Sequence, residues 1–153
     1  MKIILFLLLF VFSFNAFSAD NLSSLKGNFD TLNQLFLNEL NDSFKSEFED
    51  LVSDFDYDVI TVNTKYSKNK YEATYTFSSK FKSDITKLSK EGNENDLKII
   101  KELFSNNFAT ISLEEKNNKF YLTLTEATDS DPFVVDGSYR EMKEGLETLI
   151  ETF

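Results

Sequence analysis

Three aspartates stand at alternate positions near the middle of the chain, Asp54, Asp56 and Asp58. Their D-x-D-x-D spacing is that of a calcium loop, which gathers carboxylates one residue apart around a hard cation. Such a loop also needs glycine at its sixth position for the sharp turn and a bidentate glutamate at its twelfth. Those positions are Val59 and Lys65, so the match fails and the triplet reads as a solvated helix-to-strand junction. Asp129, Asp131 and Asp136 form a looser cluster, with Pro132 and Gly137 among them, that reads as turn chemistry. Glu141, Glu144, Glu147 and Glu151 recur at helical spacing and make an acidic ridge. Its ordinary role is a solvated face; its functional role would be contact with a basic partner. A carboxylate pair at glycosidase spacing would make an acid-based hydrolase, but nothing in the sequence singles out such a pair.

The missing residue types narrow the chemistry further. The 153 residues contain no Cys, no His and no Trp. Without His there is no imidazole general base, no His-anchored zinc and no Ser-His-Asp triad. Without Cys there is no disulfide framework, thiol nucleophile or thiolate metal site. Sixteen Lys and Arg against 26 Asp and Glu give a net charge of −10, which argues against nucleic acid as a partner, because phosphate binding needs basic patches. The expectation is a non-catalytic protein, with no metal and no cofactor.

The N-terminus carries an address. Residues 1–18, MKIILFLLLFVFSFNAFS, combine Lys2 with an apolar run from Ile3 to Phe12 and the small residues Ala16 and Ser18 before Ala19. That is the pattern of a cleaved signal peptide, and the run is shorter than the roughly 20 residues that span a bilayer. The mature chain would be residues 19–153, one exported domain with a net charge of −11 once Lys2 is gone. The AT-rich style of the composition and the lack of disulfides suit a Gram-negative periplasm, or secretion beyond it. No Cys follows the leader, so an acylated lipoprotein is excluded. The sequons Asn21-Leu-Ser23 and Asn41-Asp-Ser43 read as chance.

The elements that position these residues follow from periodicity. Leu22, Leu25, Phe29, Leu32, Phe36, Leu40, Phe44, Phe48, Leu51 and Phe55 fall at steps of three and four, one stripe of a helix. Asn41-Asp42-Ser43 is poor in helix formers and predicts a bend or break. Two hairpins follow. A turn at Lys68-Asn69 pairs Tyr66 with Tyr71, Thr64 with Ala73, Val62 with Tyr75 and Ile60 with Phe77, which puts the apolar set on one face. A turn at Asn117-Asn118 pairs Leu113 with Leu122 and Ile111 with Leu124, and Asn tolerates the positive φ that such turns require. Between the hairpins, Asn93 can cap a helix over 94–105, with Leu97, Ile100, Leu103 and Phe104 inward. Residues 78–92 read equally as a continued strand or a helical turn. Asp129 to Pro132 reads as a loop and Asp136-Gly137 as a turn. Ser138 and Glu141 make a capping box for a last helix with Tyr139, Met142, Leu146, Leu149, Ile150 and Phe153 inward.

Sliding the chain by 49 residues aligns Phe55, Phe104 and Phe153, the two hairpin turns, and Thr74 and Thr76 with Thr123 and Thr125. This suggests an internal duplication. The expected fold is α+β, in the order α-ββ-α-ββ-α, with one mostly antiparallel sheet and helices on one face. The first helix is longer than such a sheet, so the stripe Leu22, Leu25, Phe29, Leu32 and Phe36 within 19–42 must either bend back on its own chain or, the favoured reading, pack on a partner protein or a second copy in a homodimer. The solvent face of the sheet is a second binding candidate, carrying Thr61, Asn63, Thr74, Thr76 and Ser78 with Thr110, Ser112, Tyr121, Thr123 and Thr125. Threonine also favours strands for its own reasons. Tyr66, Tyr71, Tyr75 and Phe77 would line either a ligand cavity or an ordinary core.

The small size, acidity and α-ββ-α-ββ-α order resemble the type III secretion chaperone fold over nearly the whole mature chain. That resemblance implies a homodimer that binds an extended partner chain through apolar surface, and an extra strand after the first hairpin, near residues 79–86. The export signal departs from the family, whose members are cytoplasmic. The same order also resembles secreted inhibitors that present a sheet face to an enzyme. The functional expectation is therefore an exported, chaperone-like or adaptor protein-binding module. The alternatives are a small-ligand or lipid carrier with a cavity under the sheet, or a secreted enzyme inhibitor.

Overall fold

The computed structural model describes residues 21–48, 56–89, 104, 107–126 and 131–153. A 3-10 turn over Leu22–Leu25 leads into helix α1 (Lys26–Phe48). Strands β1 (Ile60–Tyr66) and β2 (Lys70–Phe77) follow, then helix α2 (Ser79–Ser89). The chain resumes as β3 (Ala109–Lys116), β4 (Lys119–Glu126) and β5 (Phe133–Gly137), and ends in helix α3 (Tyr139–Thr152). The strands form one antiparallel sheet in chain order, β1-β2-β3-β4-β5. Among the described residues, helices α1, α2 and α3 all serve its apolar face, which makes this an α+β fold. Among the described residues no helix is long and apolar enough to cross a membrane.

Alternation fixes both hairpin registers. Tyr66 faces Tyr71, Thr64 faces Ala73, Val62 faces Tyr75 and Ile60 faces Phe77; Leu113 faces Leu122 and Ile111 faces Leu124. The two turns are built differently. Asn117 and Asn118 take φ of 54° and 60°, the left-handed pair of a type I′ turn. The first turn avoids positive φ: the Ser67 N–H donates to the Lys70 carbonyl at 2.8 Å, and the Lys70 N–H donates to Ser67 Oγ at 3.0 Å. Strand boundaries nonetheless repeat at the 49-residue offset to within one residue, 60–66 with 109–116 and 70–77 with 119–126. The likeness stops after the hairpins, since α2 follows the first and β5 the second.

Three expectations change and one open reading closes. Helix α1 runs straight through Asn41-Asp42-Ser43, because the Asn41 amide is consumed by bonds that fasten the helix to β1. Residues 79–89 are helical; Phe81 and Ile85, four apart, both enter the core, whereas a strand would have needed Ser83 inside as well. The stretch 79–86, where the resemblance places an extra strand, lies in this helix. The Asp136-Gly137 pair closes a fifth strand rather than forming a turn. The third change concerns Leu22, Leu25, Phe29, Leu32 and Phe36, which are core residues of this same chain, none more than 7% exposed. They are not the partner surface expected of them. Two features absorb the helix's length: α3 packs along α1, and the 3-10 turn is tied to the sheet by the Leu22 N–H donating to Glu115 Oε2 at 3.1 Å. The leader 1–18, residues 49–55 with Asp54, most of the expected helix 94–105, and Asp129 lie outside the described residues.

The layer between helices and sheet is largely aromatic. Phe29 meets Tyr71 (ring centroids 5.8 Å), Phe36 meets Tyr75 (5.0 Å), and Phe44 meets Phe77 (5.4 Å) and Phe108 (5.2 Å). Phe104 joins Phe77 and Phe81 under α2. Tilted and edge-on contacts of this kind suit the charge distribution of the rings. On α1, Asn33 and Asn41 are the polar residues in this layer, and each is satisfied. Asn33 Nδ2 donates to the Phe29 carbonyl at 2.7 Å, and Asn33 Oδ1 accepts from the Tyr75 hydroxyl.

Candidate functional site

Among the described residues the helices α1, α2 and α3 lie on one side of the sheet, and none of them covers the opposite side. Its residues form cross-strand rows. Thr61 faces Thr76, with their hydroxyls 3.3 Å apart. Asn63, Thr74, Thr110 and Thr125 lie opposite one another across β1 to β4. Lys65, Glu72, Ser112, Thr123 and Val134 run across all five strands. Lys70, Glu114, Tyr121 and Asp136 complete the turn end. Thus every threonine expected on this face is there. Thr61, Asn63 and Thr125 are exposed, and Thr74, Thr76, Thr110, Ser112, Tyr121 and Thr123 are half-buried by their neighbours. Ser78 leaves the sheet instead: its N–H donates to the Val59 carbonyl and its Oγ accepts from the Phe81 N–H at the start of α2.

The sequence did not reveal β5, and with it Val134 and Asp136 on the open face. Val134 is 49% exposed, an apolar residue in the hydroxyl row. The signal was Phe133 and Val135 alternating with Val134 and Asp136, in a run too short to stand out beside its Asp-Gly end. Charges gather at the turn end, where Lys70 pairs with Glu72 at 2.6 Å and Lys119 with Asp136 at 3.4 Å. The face therefore offers neutral hydroxyls, each able to donate and accept, with an ionic rim. This chemistry suits recognition of a polar surface.

The remaining candidates have structural work. Tyr71 and Tyr75 are buried and Phe77 is half-buried, and the rings of Phe29, Phe36 and Phe44 pack against them. Burial raises the Tyr75 phenol far above its ordinary value. Tyr66 is 45% exposed at the rim, where its hydroxyl donates to Asp30 Oδ1 at 2.7 Å and Lys26 Nζ sits 4.2 Å from the ring centre. Asp56 pairs with Lys80, which holds its carboxyl below the usual range, and Asp58 lies 3.6 Å from Lys45. Burial and the neighbouring Asp84 carboxylate push Tyr57 up to about 12. On α3, Glu141 closes the capping box with Ser138, Glu144 pairs with Arg140 at 2.7 Å, and Glu147 is 3.9 Å from Lys143. The ridge is thus partly neutralised within its own helix. Among the described residues no group of three acidic side chains could hold a metal ion.

No protein-family model, no curated protein and no solved structure matches this chain.

Proposed function

We propose that this chain is an exported, non-catalytic binding module that docks another protein on the open face of its sheet. The observation that carries this reading is the five-strand face that no helix covers among the described residues, with Thr61, Thr74, Thr76, Thr110, Thr123 and Thr125 in register across it. The apolar stripe that a chaperone-like partner would otherwise use is spent inside the monomer, so recognition falls to this polar surface. The composition supports a binding role, since it lacks the imidazoles and thiols of most nucleophilic chemistry. The leader 1–18 supports a periplasmic or secreted location. A carrier role has less support, because phenylalanine rings pack against the aromatic row.

A photo-reactive amino acid at position 123, placed in the cells that make the protein, tests this reading. A discrete protein adduct should form from position 123 and not from position 148, which is exposed on α3. Equal labelling from both positions, or none from 123, overturns it.

A further inference from the structure

The sheet has two edges, and the structure treats them differently. At β5 the edge is guarded. The strand is five residues long, Pro132 precedes it with no N–H to offer, and Asp136 is drawn to Lys119. At β1 the guard covers one residue. Asn41 of α1 donates from Nδ2 to the Ile60 carbonyl at 3.1 Å, and its Oδ1 accepts from the Ile60 N–H at 2.9 Å. The side-chain amide stands where a neighbouring strand's peptide group would be.

Those bonds fix the direction of the rest of the strand. In an antiparallel pair, backbone groups alternate between the partner strand and the outside. Ser67 and Val59 bond across to β2, and Ile60 bonds outward to Asn41, so Val62, Thr64 and Tyr66 also point outward. Among the described residues none of their backbone N–H or C=O groups meets a partner outside the hairpin. Asn41 closes the edge at Ile60, and the turn at Ser67 ends it. The open stretch is Val62 to Tyr66, with Thr64 at its centre.

We infer that β1 pairs antiparallel with β1 of a second copy of this chain, about a two-fold axis at Thr64. This surface is separate from the open face, and the inference does not depend on the reading of that face. The register is self-complementary. Thr64 meets Thr64 of the second copy, and Val62 meets Tyr66 of the second copy in both directions, each pair exchanging N–H and C=O bonds. On the helix side Val62 covers part of the Tyr66 ring, an apolar contact for a side chain that is 45% exposed in the single chain. On the open side Asn63 meets Lys65 of the second copy, so no like charges stand directly opposite. A shift by two residues toward Ile60 would collide with the Asn41 bonds, and the opposite shift would run into the turn. The sheet would double to ten strands with one continuous open face.

The two lysines at position 65 lie diagonally across this junction, and both copies are acidic overall. Pairing therefore strengthens as salt screens the repulsion. Sedimentation of the protein purified from the compartment where its own cells deposit it, from about 1 μM to about 1 mM, should show a dimer that forms with concentration and more readily at high salt. Thr64→Pro removes only an outward N–H, so it keeps the hairpin bonds. It should raise the dissociation constant about tenfold or more, since two central hydrogen bonds are lost. Lys65→Thr should lower it severalfold. In hydrogen exchange, the amides of Val62, Thr64 and Tyr66 should gain protection as the dimer forms. A monomer throughout that range overturns the inference. So does a dimer that Thr64→Pro leaves intact while the variant's circular dichroism matches the parent, or capture of an unrelated extended peptide at this edge without any dimer. If Thr64→Pro does not fold, the Lys65→Thr shift and the exchange of the three amides decide: no tightening and no protection refute the pairing.

Discussion

Replacing Asn41 by Leu should destabilise the fold far more than its small surface suggests. Asn41 is 5% exposed, and Ile60, which it holds, is fully buried. The variant keeps the side-chain size but strips the Ile60 N–H and C=O of their partners at 2.9 and 3.1 Å. A buried donor or acceptor left unpaired costs about 1–3 kcal/mol. Leucine recovers part of this, about 1–2 kcal/mol through added apolar burial and about 0.5 kcal/mol through helix propensity. With two such groups at stake, about 2–6 kcal/mol in all, the expected net loss centres on roughly 2 kcal/mol. In urea, with a slope of about 1–3 kcal/mol per molar for a domain of this size, the midpoint should fall by roughly 1 M or more. Asn41→Asp keeps an acceptor for the Ile60 N–H but turns a carboxylate toward the Leu37 and Ile60 carbonyls. Its folded-state pKa should therefore rise, giving stability that is present at acid pH and lost as pH climbs through that value. If the Leu variant unfolds within about 0.5 kcal/mol of the parent, the range of ordinary surface substitutions, the view of Asn41 as the clamp between α1 and β1 is wrong.

The two hairpin turns provide a matched pair. Asn118→Ala should cost about 1 kcal/mol in chemical unfolding because position 118 holds φ of 60°, while Asn69→Ala, the equivalent site 49 residues earlier, should change little; equal losses would refute the difference in turn type. Alkaline stability should follow the tyrosines. Tyr57 is pushed up to about 12 and Tyr75 is raised further, against 10.0 for a free phenol. Both stabilise fully below pH 10, and that stability is lost as pH rises from there through the folded values. The fall in urea midpoint above pH 10 should be shallower in Tyr57→Phe/Tyr75→Phe than in the parent, and parallel curves would refute this.

Much of the fold is legible in the sequence where two constraints agree. Ile60 to Phe77 and Ile111 to Leu124 could be paired residue by residue because alternation and turn position both dictate one register. The threonine face follows from the same pairing. Residues 79–89 were not separable, because Phe81 and Ile85 satisfy strand and helix spacing alike, and Ser83 between them is decisive only once its exposure is known. Strand β5 was hidden because its two inward residues, Phe133 and Val135, stop at a pair that normally makes a turn. The burial of Leu22 to Phe36 could not be read from lengths. It depends on α3 lying beside α1 and on Glu115, 93 residues away, catching the Leu22 N–H. Likewise the Asn41 bond to Ile60 spans 19 residues, and local sequence shows only an asparagine unsuited to a helix interior.

A sheet whose strands lie in chain order can assemble progressively as the chain is made. Each strand needs only the one before it, so most of the pairing is short in loop length and quick to close. Helix α1 is the exception: it is made first, yet its aromatic stripe has nothing to rest on until β2 and β3 exist, and α3 covers its flank last of all. For that interval Phe29, Phe36 and Phe44 lack the aromatic partners that cover them in the finished fold. The core is thus complete only when the last fourteen-residue helix has joined it.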